Sequence, residues 1–236
     1  MSQFDDLEPI IFSNDSHFLS ILQLASPGLP VGAYSYSEGL EMLVENGTIA
    51  NSQSLIQWLQ AELTYGSIRL DGAMMVRAFQ SVKVGDLQAL HRWNLWLSAA
   101  RDTEELRLSS WQMGRSLWQL LVKLEPEMLS LAEAVGSPCN YAIAFGLACA
   151  HWNINIQAAL LAYLHSWLTN LITAGVKLIP LGQTDGQKLL LNSQTLLSKT
   201  TVEILNLEDD QLACCSWGLS LASMQHETQY TRLFRS

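Results

Sequence analysis

No segment of this 236-residue chain alternates apolar and polar residues convincingly with the period of two that a half-buried strand needs. Apolar residues instead recur three and four apart along most of its length, the spacing of a helix with one buried stripe. Leu55, Leu59, Leu63, Gly66 and Leu70 lie down one side of a long helix predicted over residues 52–82, capped by Asn51 or Ser52. Gly85 and Asp86 open a second helix, to about Ala100. Asp102 or Thr103 caps a third, in which Leu106, Ser110, Met113, Leu117, Leu120, Leu121 and Leu124 keep the 3.6 period; Pro126 ends it or opens its successor. Gly136, Ser137 and Pro138 form the strongest mid-chain break. Helices follow over 141–152 and 156–177, where Leu161, Leu164, Leu168, Leu171, Ile172 and Gly175 make one stripe. Another runs from 183 to 199, and a shorter piece begins at Thr201. These patterns predict an all-α protein with about nine or ten helices. No break is rich enough in Pro, Gly or Ser to be an interdomain linker. Residues 1–236 therefore read as one globular helical domain, with a flexible N-terminus at about 1–14 and a distinct tail at about 216–236.

The most restricted backbone lies near the start. Phe18, Ile21, Leu22 and Ala25 predict a helix with one buried stripe, which Pro27 ends at Ser26. Pro30 fixes φ and Gly32 frees it. Ser35 and Glu38 match an S-x-x-E capping box for a helix over about 36–45, closed by Gly47. In that helix Leu40, Leu43 and Val44 face inward, and Glu38, Glu41 and Glu45 form an acidic stripe. Tyr34 and Tyr36 flank it. Such a corner is either an ordinary helix–loop–helix turn with solvated glutamates or a stiff aromatic surface for a partner.

Only 15% of residues are charged while 49% are hydrophobic, against about 25% charged in a typical soluble domain. A globule this poor in charge exposes apolar area, so an oligomer or an obligate complex member is expected. The net charge of −9 argues against a nucleic-acid partner, which needs a basic footprint. The first fifteen residues, with Asp5, Asp6, Glu8 and Asp15, do not read as a signal peptide. The four cysteines lack C-x-x-C spacing, which fits free thiols in a reducing cytoplasm. The apolar run 154–179 contains Asn155, Gln157, His165 and Asn170, so a buried central helix is expected rather than a membrane span. His165 within it reads as a hydrogen-bonded core residue.

Catalytic and metal-binding motifs do not emerge. The stretch from Gly182 to Lys188 departs from a P-loop in glycine spacing and lysine position, and follows a helix rather than a strand. His17, His91, His151, His165 and His226 form no H-E-x-x-H and no i, i+4 pair, and no residue is assigned to a metal. The acidic pairs Asp5–Asp6, Glu104–Glu105 and Asp209–Asp210 lack the third acid of a D-D-x-x-D magnesium motif. No Ser/His/Asp or Cys/His order stands out. The tail is unusual in the other direction: Tyr230, Leu233 and Phe234 sit between Arg232 and Arg235, where chain ends are normally small, polar and mobile. Such an end is expected to dock, either in a groove of its own domain or on a partner.

Three segments taken together resemble the UreF family of urease accessory proteins. The first runs from Leu22-Gln23-Leu24 through Ser26-Pro27 and Leu29-Pro30-Val31-Gly32 to Gly39-Leu40-Glu41. The second is Ala174-Gly175-Val176-Lys177-Leu178-Ile179-Pro180-Leu181-Gly182-Gln183, with Gln187 following. The third is the tail from Ala222 to Ser236. Between them, residues 104–117, with Arg107, Ser110, Met113 and Gly114, look like the family's middle helix. Ala33 departs from a common glycine, but Tyr34 keeps the aromatic after it.

The resemblance implies an all-α, dimeric, cytoplasmic protein with no catalysis and no cofactor of its own. It would bridge UreD (also called UreH) and the GTPase UreG, regulate GTP hydrolysis, and support nickel insertion into apo-urease, the nickel passing through the complex as cargo. The UreG-facing surface would lie around Glu41 and Lys177, with Tyr34, Tyr36, Pro180 and Gln183 as neighbours and Glu38 contributing through the acidic stripe. The tail would order against UreD through His226, Glu227, Tyr230, Arg232, Leu233, Phe234 and Arg235. The competing classes are a helical metal-dependent enzyme with a spatially assembled acidic site and a nickel-storage protein.

Overall fold

Every residue from 142 to 150 is buried, so the short helix they form has no solvent face and must sit at the centre of the domain. A computed structural model describes residues 12–235 and places that helix, α8 (Tyr141–His151), against α4 (Ser67–Val84). The two approach closely because α8 carries Gly146: a Cβ there would lie 2.3 Å from the Met75 carbonyl oxygen. Only glycine lets the two backbones meet.

Around this pair stand α3 (Ser52–Tyr65), α5 (Leu87–Ala99), α6 (Glu104–Leu124) and α9 (Ile156–Leu178), with α7 (Leu129–Val135) packed on α5. Before them come α1 (Phe12–Leu24) and α2 (Leu40–Glu45); after them come α10 (Gln183–Asn192), α11 (Gln194–Leu205) and α12 (Trp217–His226). The described residues thus form twelve α-helices and no strand, with short 3-10 turns at Ala33–Ser35, Pro126–Met128 and Asp209–Gln211. The all-α reading holds. The expected flexible segment, about 1–14, falls largely outside the described residues.

The helix count exceeds the expected nine or ten because two predicted helices are each broken in two and the tail forms α12, while the separate piece expected from Thr201 is continuous with α11. The first breaks at Gly66, which takes an extended ψ of 178° while the Glu62 carboxylate and carbonyl fill the space beside it. The Ser216 hydroxyl, from just before α12, then accepts from the Ser67 N–H at 2.8 Å and donates to Glu62 at 3.1 Å. A distant residue caps α4, which no local pattern could announce. The second breaks at Ser193, whose hydroxyl donates back to the Leu189 carbonyl at 2.8 Å and bends the chain between α10 and α11.

Asp86 and Thr103 cap α5 and α6 with their side chains as expected. The long apolar helix α9 is central, packing on α1, α2, α3, α4, α8, α10 and α11. By length and composition it could cross a membrane, yet half of its most apolar window is buried inside the protein. Two expectations about buried side chains fail. His165 lies on the exposed face of α9, not in the core. On α1, Phe18 and Leu22 are exposed and Leu24 is buried, so the inward stripe is not the one periodicity selected.

Candidate partner-docking site

Gly39 sets the geometry of the opening corner. Its φ of 80° is left-handed, and a Cβ on it would lie 3.3 Å from Leu219 and 3.4 Å from the Ser223 N–H of α12. The chain therefore turns into α2 tightly against α12, and Glu41 in the first turn of α2 faces inward. The predicted capping box does not form. Ser35 lies in the 3-10 turn, and Glu38 (φ 51°) turns its carboxylate away to accept the Trp167 indole N–H at 2.9 Å. The helix consequently starts at Leu40 rather than near Tyr36, and the acidic stripe dissolves: Glu38 is partly buried, Glu41 buried and Glu45 exposed.

Glu41 binds the end of the chain. Its carboxylate accepts the backbone N–H groups of Leu233 at 2.6 Å and Phe234 at 2.9 Å, and lies 3.2 Å from His226 Nε2. His226 Nδ1 lies 2.7 Å from a Glu105 oxygen, and Arg232 approaches the same oxygen at 3.8 Å. The His226 ring is fully buried. Carboxylates on both ring nitrogens require both to carry protons, so the imidazolium is the form this site holds. Burial opposes that charge, but hydrogen bonds to Glu105 and Glu41 outweigh it and raise the pKa. Thr103 and Ser223 complete the cluster: their hydroxyls lie 2.8 Å apart, and Ser223 reaches Glu105 at 3.3 Å.

The tail thus folds back over the opening loop. The Arg235 N–H donates to the Ser35 carbonyl at 2.8 Å. Phe234 is 5% exposed, with Lys177 Nζ 5.4 Å from its ring centre. The two groups of residues predicted as separate surfaces, Glu41 with Lys177 and the tail, are brought together in one cluster. Pro180 and Gln183 continue outward from Lys177 as an exposed corner between α9 and α10. Glu227, Tyr230 and Leu233 are exposed on the tail.

Tyr34 and Tyr36 separate. Tyr34 is two-thirds exposed, whereas Tyr36 is buried with its carbonyl accepting from the Asn170 side chain at 3.1 Å. Beneath Tyr36 lies a small cavity of about 50 Å³, whose lining includes Glu38, Asp71, Arg101, Tyr163 and Trp167. Asp71 and Arg101 pair there at 2.5 Å. Burial pushes the Glu38 carboxyl up to about 6, against the lowering effect of the Trp167 hydrogen bond.

The UreF family model matches residues 49–194, more than half of the chain. A urease accessory protein UreF from Nostoc sp. is 75% identical over 222 residues, covering 94% of this chain and 97% of that protein. One from Microcystis aeruginosa is 54% identical over 223 residues, covering 94% and 99%. One from Alkalilimnicola ehrlichii is 42% identical over 217 residues, covering 91% and 93%. The chain belongs to the UreF family.

UreF proteins are accessory and non-catalytic, so the chain is not an enzyme. Of the acidic pairs weighed for a magnesium site, Asp5–Asp6 lies outside the described residues; in the other two, Glu105 holds His226 and Asp209 takes Arg77 at 2.6 Å. The outer surface beside the clasp that Glu41 and Glu105 form with the tail is apolar. Trp217, Leu221 and Met224 line the exposed face of α12, and Tyr230 and Leu233 extend from the tail. Sequence reasoning missed Glu105, Thr103 and Ser223 as clasp residues. Glu105 was visible only as half of an acidic pair, and the i, i+3 spacing of Ser223 and His226 was the one local hint that both face the same way.

Proposed function

We propose that this UreF member is the non-catalytic bridge between UreD (UreH) and the GTPase UreG in urease maturation. In this reading it works as a cytoplasmic homodimer, regulates GTP hydrolysis and supports nickel insertion into apo-urease. The observation that carries the reading is the Glu41 clasp. It ties the stiff loop, Lys177 and the aromatic tail into one rigid patch rimmed by exposed apolar side chains, and it joins no catalytic constellation. Docking surfaces of this kind gain from pre-organisation, because little side-chain and loop entropy is left to lose on binding. UreG would meet the side bearing Lys177, Tyr34, Pro180 and Gln183. UreD would meet the side bearing Tyr230, Leu233 and the outer face of α12. Glu41, Tyr36 and Phe234 are buried, so they serve by holding that surface in shape.

The test uses exposed residues. Lys177→Ala and Tyr34→Ala should leave the thermal melt unchanged while lowering UreG co-purification and urease activation. Undiminished values of both in the two variants would overturn the assignment of this side to UreG.

A further inference from the structure

Away from the clasp, three side chains that can ligate metals converge from two helix ends. Glu125 caps the C-terminus of α6, Glu127 lies in the turn Pro126–Met128, and His151 is the last residue of α8. One ligand atom from each falls within 4.8 Å of the other two. His151 Nε2 is 3.6 Å from Glu125 Oε2 and 4.0 Å from Glu127 Oε1. A charge-assisted hydrogen bond would close to about 2.7–2.9 Å, so the three groups face a common gap instead of bonding one another. Metal–nitrogen and metal–oxygen bonds of about 2.0–2.2 Å set neighbouring ligand atoms roughly 3 Å apart. Closing this gap on an ion requires side-chain shifts of about 1 Å or less.

The site has an outer partner as well. The Trp152 indole N–H donates to Glu125 Oε1 at 3.3 Å, leaving Oε2 turned to the gap. Such a hydrogen bond fixes a ligating carboxylate and typically accounts for about 10–100-fold in affinity. Two carboxylates alone would suit a hard ion. The imidazole shifts the preference to borderline first-row dications such as Ni²⁺, Zn²⁺ and Co²⁺.

We propose that Glu125, Glu127 and His151 form a surface site for one borderline first-row divalent cation, held by His151 Nε2 and one oxygen of each glutamate, with water completing the shell. It shares no residue with the clasp, and it stands whether or not the bridging function does. Sequence spacing could not reveal it, because the ligands lie at the ends of two helices that meet only in the fold.

Equilibrium dialysis of the full chain against Ni²⁺ and against Zn²⁺ tests the proposal, alongside Co²⁺ absorption spectra. The expected result is one ion per chain whose affinity falls at least about tenfold in His151→Ala and in Glu127→Gln, with the Co²⁺ ligand-field bands lost in His151→Ala. Binding equally tight in wild type and both variants would overturn it, as would no binding or stoichiometric displacement by Mg²⁺. Glu127 is largely exposed, so Glu127→Gln decides the matter if His151→Ala fails to fold.

Discussion

The carboxylate of Glu41 accepts the backbone N–H of Phe234 at 2.9 Å, across 193 residues of chain. The bond joins the first conformationally restricted corner of the protein to its last ordered turn. A buried main-chain donor costs about 1–3 kcal/mol when left without a partner; Glu41 satisfies the buried N–H of Phe234 and, beside it, that of Leu233. The tail is therefore part of the domain, held by a charge that its own sequence does not carry.

Glu41→Ala should free the tail while the helical core stays folded. Loss of the carboxylate strands the Leu233 and Phe234 N–H groups only while the tail remains docked. Undocking returns them to water, so the tail's own docking free energy caps the loss of stability. Trypsin cleavage after Arg232 should accelerate at least about tenfold, matching a docking loss of at least about 1.4 kcal/mol. Unchanged cleavage kinetics would contradict the clasp.

Tail docking should weaken as pH rises. The folded pKa of His226 is raised above an unfolded value of about 6.5. Its contribution is thus fully present below about pH 6.5 and is lost as pH climbs through the raised value. Hydrogen exchange of the Leu233 and Phe234 amides, corrected for intrinsic rates, should show protection falling across that window. His226→Gln should flatten the dependence, because glutamine does not titrate.

Global stability carries a second pH signature. Glu38 titrates at about 6 in the fold and 4.5 as its reference; burial of Glu62 pushes its carboxyl up to about 7. Raised carboxyl pKa values favour folding below the unfolded pKa and lose that advantage as pH rises through the folded one. Urea midpoints should fall between pH 4.5 and pH 7. Glu38→Gln, whose amide oxygen can still accept from Trp167, should remove about 2 kcal/mol of the fall between pH 4.5 and 6, leaving the part due to Glu62.

Gly146→Ala tests the centre of the fold. The added methyl would meet the Met75 main chain at 2.3 Å, and a backbone at the core of two packed helices cannot retreat as a side chain can. The loss should reach the upper end of the usual overpacking range of about 1–3 kcal/mol, read as a drop in the urea midpoint. A neutral substitution would mean that α4 and α8 do not approach as described.

Much of this architecture was legible in the chain because helices announce themselves locally. The caps at Asp86 and Thr103 and the break before α8 all follow from residues within one turn of the event. Failures occurred where a distant residue decided the outcome. Ser216 caps α4 from the far end of the chain, Trp167 removes Glu38 from its expected capping box, and α12 draws Glu41 inward. The candidate site was half legible for the same reason. Glu41, Lys177 and the aromatic tail each stood out as residue types in odd places, but local pattern cannot show that they touch.

The most direct measurement is the mass of the complex formed when the chain truncated after Gln229 is co-expressed with UreD and UreG. The bridging account predicts a folded UreF protein that no longer retains UreD, while the full-length chain yields the assembled complex. A complex of full composition from the truncated chain would contradict it.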